Sequence, residues 1–107
     1  MKNMSLTVAG VGVIALLVFV PAAFAHTPIC NCYNNEDATV TCEGGFSDGG
    51  SAEGVAIRVL DLRDRVLIDG KMDSQSTFSF DKPDDDFHVV FDAGEGHTVT
   101  VYPEEIE

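Results

Sequence analysis

The sequence predicts an all-β protein, a small antiparallel seven-stranded β-sandwich behind an N-terminal signal peptide. Three observations carry that expectation. In segment after segment, apolar residues alternate with period 2, and no stretch sustains the helical period of 3.6. Clusters of Asn, Asp, Gly and Pro separate these segments at short intervals. The chain also divides into two compositions. Residues 1–25 hold 18 apolar residues and a single charge, Lys2, whereas residues 26–107 hold 30 apolar residues, five basic side chains and all 18 acidic ones. A chain of 107 residues has room for one small domain.

Taken in order, Lys2 forms a short positive region and Val8 to Val20 an apolar one. Pro21 ends the helix, and Ala23-Phe24-Ala25 has the small-x-small pattern of a cleavage site. Cleavage after Ala25 makes His26 the mature amino terminus. The alternative is an uncleaved anchor, since Met4 to Ala25 is just long enough to span a bilayer. Membrane contact is expected only in that case. Either way the folded part, residues 26–107, is exported to a periplasmic or extracellular location.

Seven strands follow, near residues 27–33, 38–46, 55–61, 65–69, 77–81, 87–92 and 97–102. Val55, Ile57 and Val59 share a face opposite Arg58; Phe78 and Phe80 alternate with Thr77 and Ser79. Phe87, Val89 and Phe91 alternate with His88 and Val90, and Val99 and Val101 with Thr98 and Thr100. Asn34–Asp37, Ser47–Gly50, Arg63–Arg65, Asp69-Gly70, Asp81–Asp84 and Gly94–Gly96 supply turns. Pro103–Glu107 reads as a short acidic tail. A domain this small gains from a disulfide or a bound metal.

Charge and motif content narrow the function. Residues 26–107 carry a formal charge of −13, which excludes a nucleic-acid backbone as partner, because that contact needs clustered cations to release counterions. No G-x-S-x-G, H-E-x-x-H or P-loop pattern occurs, and the chain reads as a non-enzyme. Asp84-Asp85-Asp86 lacks the Gly and distal Glu of a calcium loop and reads as a solvated turn.

Cys30, Cys32 and Cys42 make an odd count. In an exported chain that means one disulfide with a spare thiol, an intermolecular bridge, or metal ligation. Cys30 and Cys32 share a strand face. With a three-residue loop at 35–37, Cys30 opposes Cys42, which makes Cys30–Cys42 the expected disulfide and Cys32 the spare thiol. A register change of two favours Cys32 instead. As thiolates, the three cysteines can alternatively hold Cu(I), Ni or Zn.

The remaining donors are histidines. A terminal His26 offers an amine and an imidazole, a pair that suits Cu(II) or Ni(II). His97 follows the Gly94-Glu95-Gly96 turn and so sits at a sandwich end, where ligands converge more often than on sheet faces. His88 alternates with buried positions and is expected on the outer face.

From Cys42 onward the pattern resembles a known family. The runs Glu43–Gly49, Gly54–Asp61, Val66–Asp73, Phe78–Phe80 and Asp92–His97 are similar to the small exported accessory component of energy-coupling-factor nickel/cobalt uptake systems. The same pattern also resembles carboxypeptidase-regulatory-like and transthyretin-like sandwiches. The resemblance implies an immunoglobulin- or transthyretin-like sandwich outside the cytoplasmic membrane, handling Ni(II) or Co(II) beside a membrane permease. His97 matches the histidine of its Asp-Ala-Gly-x-Gly-His segment, and His26 matches relatives that begin with His after the signal. The cysteine trio is not part of that pattern. The expected ligands are therefore His26 and His97, with Cys30, Cys32 and Cys42 as further candidates. Two other readings compete: a non-catalytic structural or interaction sandwich with a disulfide and no metal, and a periplasmic copper-binding carrier.

Overall fold

Period-2 alternation gives each segment one apolar and one polar face, and two such faces stack. The computed structural model describes residues 26–107; the signal peptide, its cleavage site and the alternative anchor lie outside the described residues. Seven strands form as expected: β1 (Pro28–Asn34), β2 (Thr39–Phe46), β3 (Ala56–Asp61), β4 (Val66–Lys71), β5 (Thr77–Asp81), β6 (Phe87–Asp92) and β7 (Thr98–Val101). One expected turn is absent: Asp69 and Gly70 continue β4 in register with β3. They build a three-stranded sheet in the order β1-β2-β5 and a four-stranded sheet in the order β4-β3-β6-β7. Every pairing is antiparallel. Among the described residues no helix is long and apolar enough to cross a membrane.

The inner faces supply the core. Val40 and Cys42 of β2, Ile57 and Val59 of β3, and Val89 and Phe91 of β6 are fully buried. Cys30, Cys32, Met72, Phe80, Phe87 and Val101 complete the layer between the sheets. No polar or charged side chain among the described residues is buried, so the interior is held by apolar area and sulfur alone. On the outer face, Arg58 donates to Asp92 at 2.8 Å, diagonally across the β3–β6 pair.

Two glycines are demanded by close packing. A Cβ on Gly44 would come within 2.6 Å of the Phe91 ring and 2.8 Å of the Met72 methyl. A Cβ on Gly70 would meet the Phe78 ring within 2.6 Å. Phe78 thus lies over β4 from the other sheet, and its ring stacks with Phe80 at 6.2 Å. That contact closes the β4–β5 flank.

The β1–β2 register corrects the sequence expectation. Asn35 N–H donates to the Thr39 carbonyl at 2.8 Å, so the three-residue loop is 36–38, one residue later than expected. Asn35 Nδ2 donates to the hydroxyls of Thr39 and Thr41 at 2.9 and 2.8 Å, and Ala38 takes the left-handed conformation (φ 64°) that such a loop requires. Moving the loop by one residue moves the register by two. Cys32 faces Cys42, and Cys30 faces Gly44. The disulfide is Cys32–Cys42, not Cys30–Cys42. Cys30 carries the remaining thiol.

The acidic tail is also more than a solvated end. A short 3-10 turn, Pro103–Glu105, carries the chain across the sandwich end. Ile106 then packs on the core. Asn34 N–H donates to the Glu107 carbonyl at 3.0 Å, and Glu107 N–H to the Cys32 carbonyl at 3.2 Å. The tail therefore covers the open edge of β1.

Candidate functional site

The β1–β2 register continues past the strand ends. Ser47 N–H donates to the Thr27 carbonyl at 2.9 Å, and Thr27 N–H to Ser47 Oγ at 3.1 Å. One step further along the same register, His26 stands opposite Asp48, with Nδ1 2.6 Å from Oδ2. The other carboxylate oxygen of Asp48 accepts Gly50 N–H at 2.9 Å, in an Asx turn. Asp48 is thereby oriented with one oxygen toward the turn and one toward the histidine.

His97 arrives from the opposite sheet. The β6–β7 hairpin closes through Ala93 N–H to the His97 carbonyl (3.0 Å) and His97 N–H to the Gly94 carbonyl (2.9 Å). Gly94 and Gly96 have φ of 116° and 77°, conformations for which glycine is suited. The His97 Nδ1 lies 3.0 Å from the Glu95 carbonyl oxygen. A carbonyl only accepts, so Nδ1 is the donor in this contact. The Asp48 carboxylate places the same constraint on His26. His97 is thus oriented through one nitrogen with the other left for a ligand, an arrangement common to histidine ligands of metals.

His26, Asp48 and His97 line one depression of about 390 Å³, with Phe46, Ser51 and Ala93 completing its wall. The two histidines predicted from sequence are thus brought to one hollow, as neither periodicity nor spacing could show. Asp48 was not singled out from sequence. Its signal was its place in the Ser47–Gly50 turn, visible only once the hairpin register is known. The site is open to solvent: the His26 side chain is 69% exposed and Asp48 34%. Beside it, the Arg58 guanidinium and the Gly94 amide hold the Asp92 carboxyl below the usual carboxylate range, so the turn that carries His97 starts from a firmly ionised cap.

The cysteines lie elsewhere, inside the sandwich. Their three sulfurs lie within 4.8 Å of one another, and all three residues are buried. Burial pushes the Cys30 thiol up to about 11. The five predicted ligands therefore form two separate groups: histidines at the surface and sulfurs in the core. His88 is on the outer face as expected, yet its side chain is only 14% exposed, covered by the Tyr102 ring and 3.3 Å from Asp64. A larger hollow of about 450 Å³ at the far end of the sandwich is lined by Asp61, Arg63, Arg65, Asp85 and Asp86. There Arg65 already pairs with Asp61 at 2.8 Å, and no imidazole or thiol reaches it.

Set against protein-family models, curated proteins and solved structures, the chain gives no match in any of the three comparisons.

Proposed function

We propose that this is an exported, non-catalytic metal-binding accessory protein that serves Ni(II) or Co(II) uptake or homeostasis, with His26, Asp48 and His97 as the ligand set. The observation that supports this reading is that two histidines far apart in sequence line one depression, with an oriented carboxylate in hydrogen-bond contact with the first. Imidazole nitrogen with one carboxylate oxygen suits these divalent ions. If the mature chain begins at His26, its amine adds a fourth donor. The proton shared by His26 Nδ1 and Asp48 Oδ2 is then the one a chelated ion displaces, and both atoms become ligands. The surrounding charge of −13 on residues 26–107 raises the local cation concentration. A membrane permease is the partner proposed to receive the ion.

Calorimetric titration with Ni(II), Co(II) and Cu(II) tests the proposal, using wild type and the His26→Ala/His97→Ala variant. Binding that the double substitution weakens at least tenfold supports it. Ni(II) or Co(II) bound equally by both proteins, or by neither, overturns it and leaves the structural sandwich. A site that takes Cu(II) alone would instead support the copper-carrier reading.

A further inference from the structure

We infer that the three core cysteines form a second, redox-gated metal site, closed by the Cys32–Cys42 disulfide and opened by its reduction to take a thiophilic Cu(I) ion. This inference is independent of the histidine site.

Geometry separates the two uses of the trio. Cys30 faces Gly44 and is a diagonal neighbour of Cys42. Diagonal neighbours have Cα atoms about 7–8 Å apart, beyond the roughly 6.8 Å limit of a disulfide. Cys30 therefore cannot pair with Cys42 without a slip of the strands. Its sulfur nevertheless lies within 4.8 Å of the other two. Metal–sulfur bonds of about 2.3 Å need sulfurs only about 3.8–4.0 Å apart. A third sulfur too far from Cys42 to bridge it, yet close enough to share one ion with the other two, completes a ligand set.

Chemistry selects the ion. All three residues belong to the apolar core, together with Met72 and Phe91, and no polar side chain is buried there. Without a buried side-chain oxygen or nitrogen to complete a tetrahedron, a soft ion content with two or three sulfurs is favoured over Zn(II). In the oxidised state two of the three donors are lost, and Cys30 remains a protonated thiol. Reduction by a phosphine consumes one water, converts the phosphine to its oxide and leaves Cys32 and Cys42 as thiols. Each thiolate that then binds Cu(I) releases one proton.

The test uses the full chain with His26→Ala and His97→Ala, which removes the surface imidazoles. The protein is reduced with a phosphine, desalted without oxygen and titrated with Cu(I) against a chromophoric chelator, with circular dichroism recorded in parallel. The expected result is one equivalent of Cu(I) retained by the reduced protein, none by the oxidised protein, and at least tenfold weaker retention by reduced Cys30→Ala. The last variant keeps its disulfide and folds before reduction, so its loss reports on the third sulfur. Equal retention by reduced protein with and without Cys30 overturns the inference, as does a reduced protein that keeps its strand signal and holds no copper.

Discussion

His26 and Asp48 stand opposite each other in the same register that places Cys32 opposite Cys42. The hairpin thus carries a covalent cross-link near its closed end and a histidine–carboxylate pair at its open end, six residues further along each strand. Asp48 is predicted to matter through charge and orientation together. Asp48→Asn should weaken Ni(II) binding by roughly ten- to a hundredfold while leaving the thermal midpoint nearly unchanged. Calorimetry alongside thermal unfolding checks both halves.

Removing the disulfide should loosen both ends of the hairpin. The bridge closes a short loop, sequence separation 10, for which chain entropy alone predicts about 2–3 kcal/mol of stabilisation. Cys32→Ala/Cys42→Ala should lose about that much in urea unfolding. It should also lower the affinity for Ni(II), since the covalent part of the lock on the register that faces His26 with Asp48 is then gone and only the Asn35 turn and the strand ladder remain. Cys30→Ala, which leaves the bridge intact, should do neither to a comparable degree.

Gly70→Ala should be costly for so small a change. The added methyl would run into the Phe78 ring, and neither the β4 backbone nor that ring can withdraw without opening the flank. A loss of about 1–3 kcal/mol is expected from overpacking, read as a lower urea midpoint. Phe78→Leu in the same chain should restore part of it by vacating the space.

Ala38→Gly should stabilise. Ala38 holds a left-handed backbone at φ 64°, which costs a residue with a Cβ about 1–2 kcal/mol. The greater freedom of glycine in the unfolded chain offsets part of the gain. A net increase of about 0.5–1 kcal/mol in unfolding free energy is expected.

Stability should fall at both pH extremes, for different reasons. Backbone and hydroxyl donors from Thr77 hold Asp73 below the ordinary carboxylate value of 3.8; the Arg65 amide does the same for Asp61, and the Arg58 guanidinium for Asp92. Their folded values are lowered, so the stability they contribute is complete above that ordinary value and is lost as the pH drops below it. Cys30 works in the opposite sense. Its thiol is raised from 9.0 to about 11, so its contribution is complete below pH 9 and is lost as pH rises toward 11. Wild type should lose about 1 kcal/mol more than Cys30→Ala between pH 8 and pH 10, measured by urea unfolding at each pH.

Most of the strands were legible in the sequence because one face of each is buried, and burial writes itself as alternation; β4 buries no residue, and its place between turn signals marked it instead. Val40, Ile57, Val59, Phe87, Val89 and Phe91 needed only that rule. The pairing of β1 with β2 was not legible, because alternation is unchanged by a slip of two. The choice fell to local chemistry: Asn35 hydrogen bonds to Thr39 and Thr41, and Ala38 accepts an unfavourable φ. Every consequence of that choice was hidden with it, the sulfur pairing and the position of Asp48 included. His97 could be placed at a sandwich end from its turn, but its meeting with His26 depends on how the two sheets stack. The docking of Glu107 on β1 is carried mostly by main-chain atoms, with Asn34 Nδ2 adding one bond to the Glu107 carbonyl, and main-chain bonds leave no mark in residue type.

The two flanks of the sandwich are fastened by different means. On the β1–β7 side, the tail ties the last residues to β1 through backbone hydrogen bonds, while the β4–β5 side is closed by the Phe78 ring lying over Gly70. The molecule is then bound like a book, with its spine at β1 and β7 and its fore-edge at β4 and β5. Thermal opening should start at the fore-edge, where a ring need only swing aside, and His26 and His97 both sit at the spine. Their spacing can stay nearly constant while the pages part.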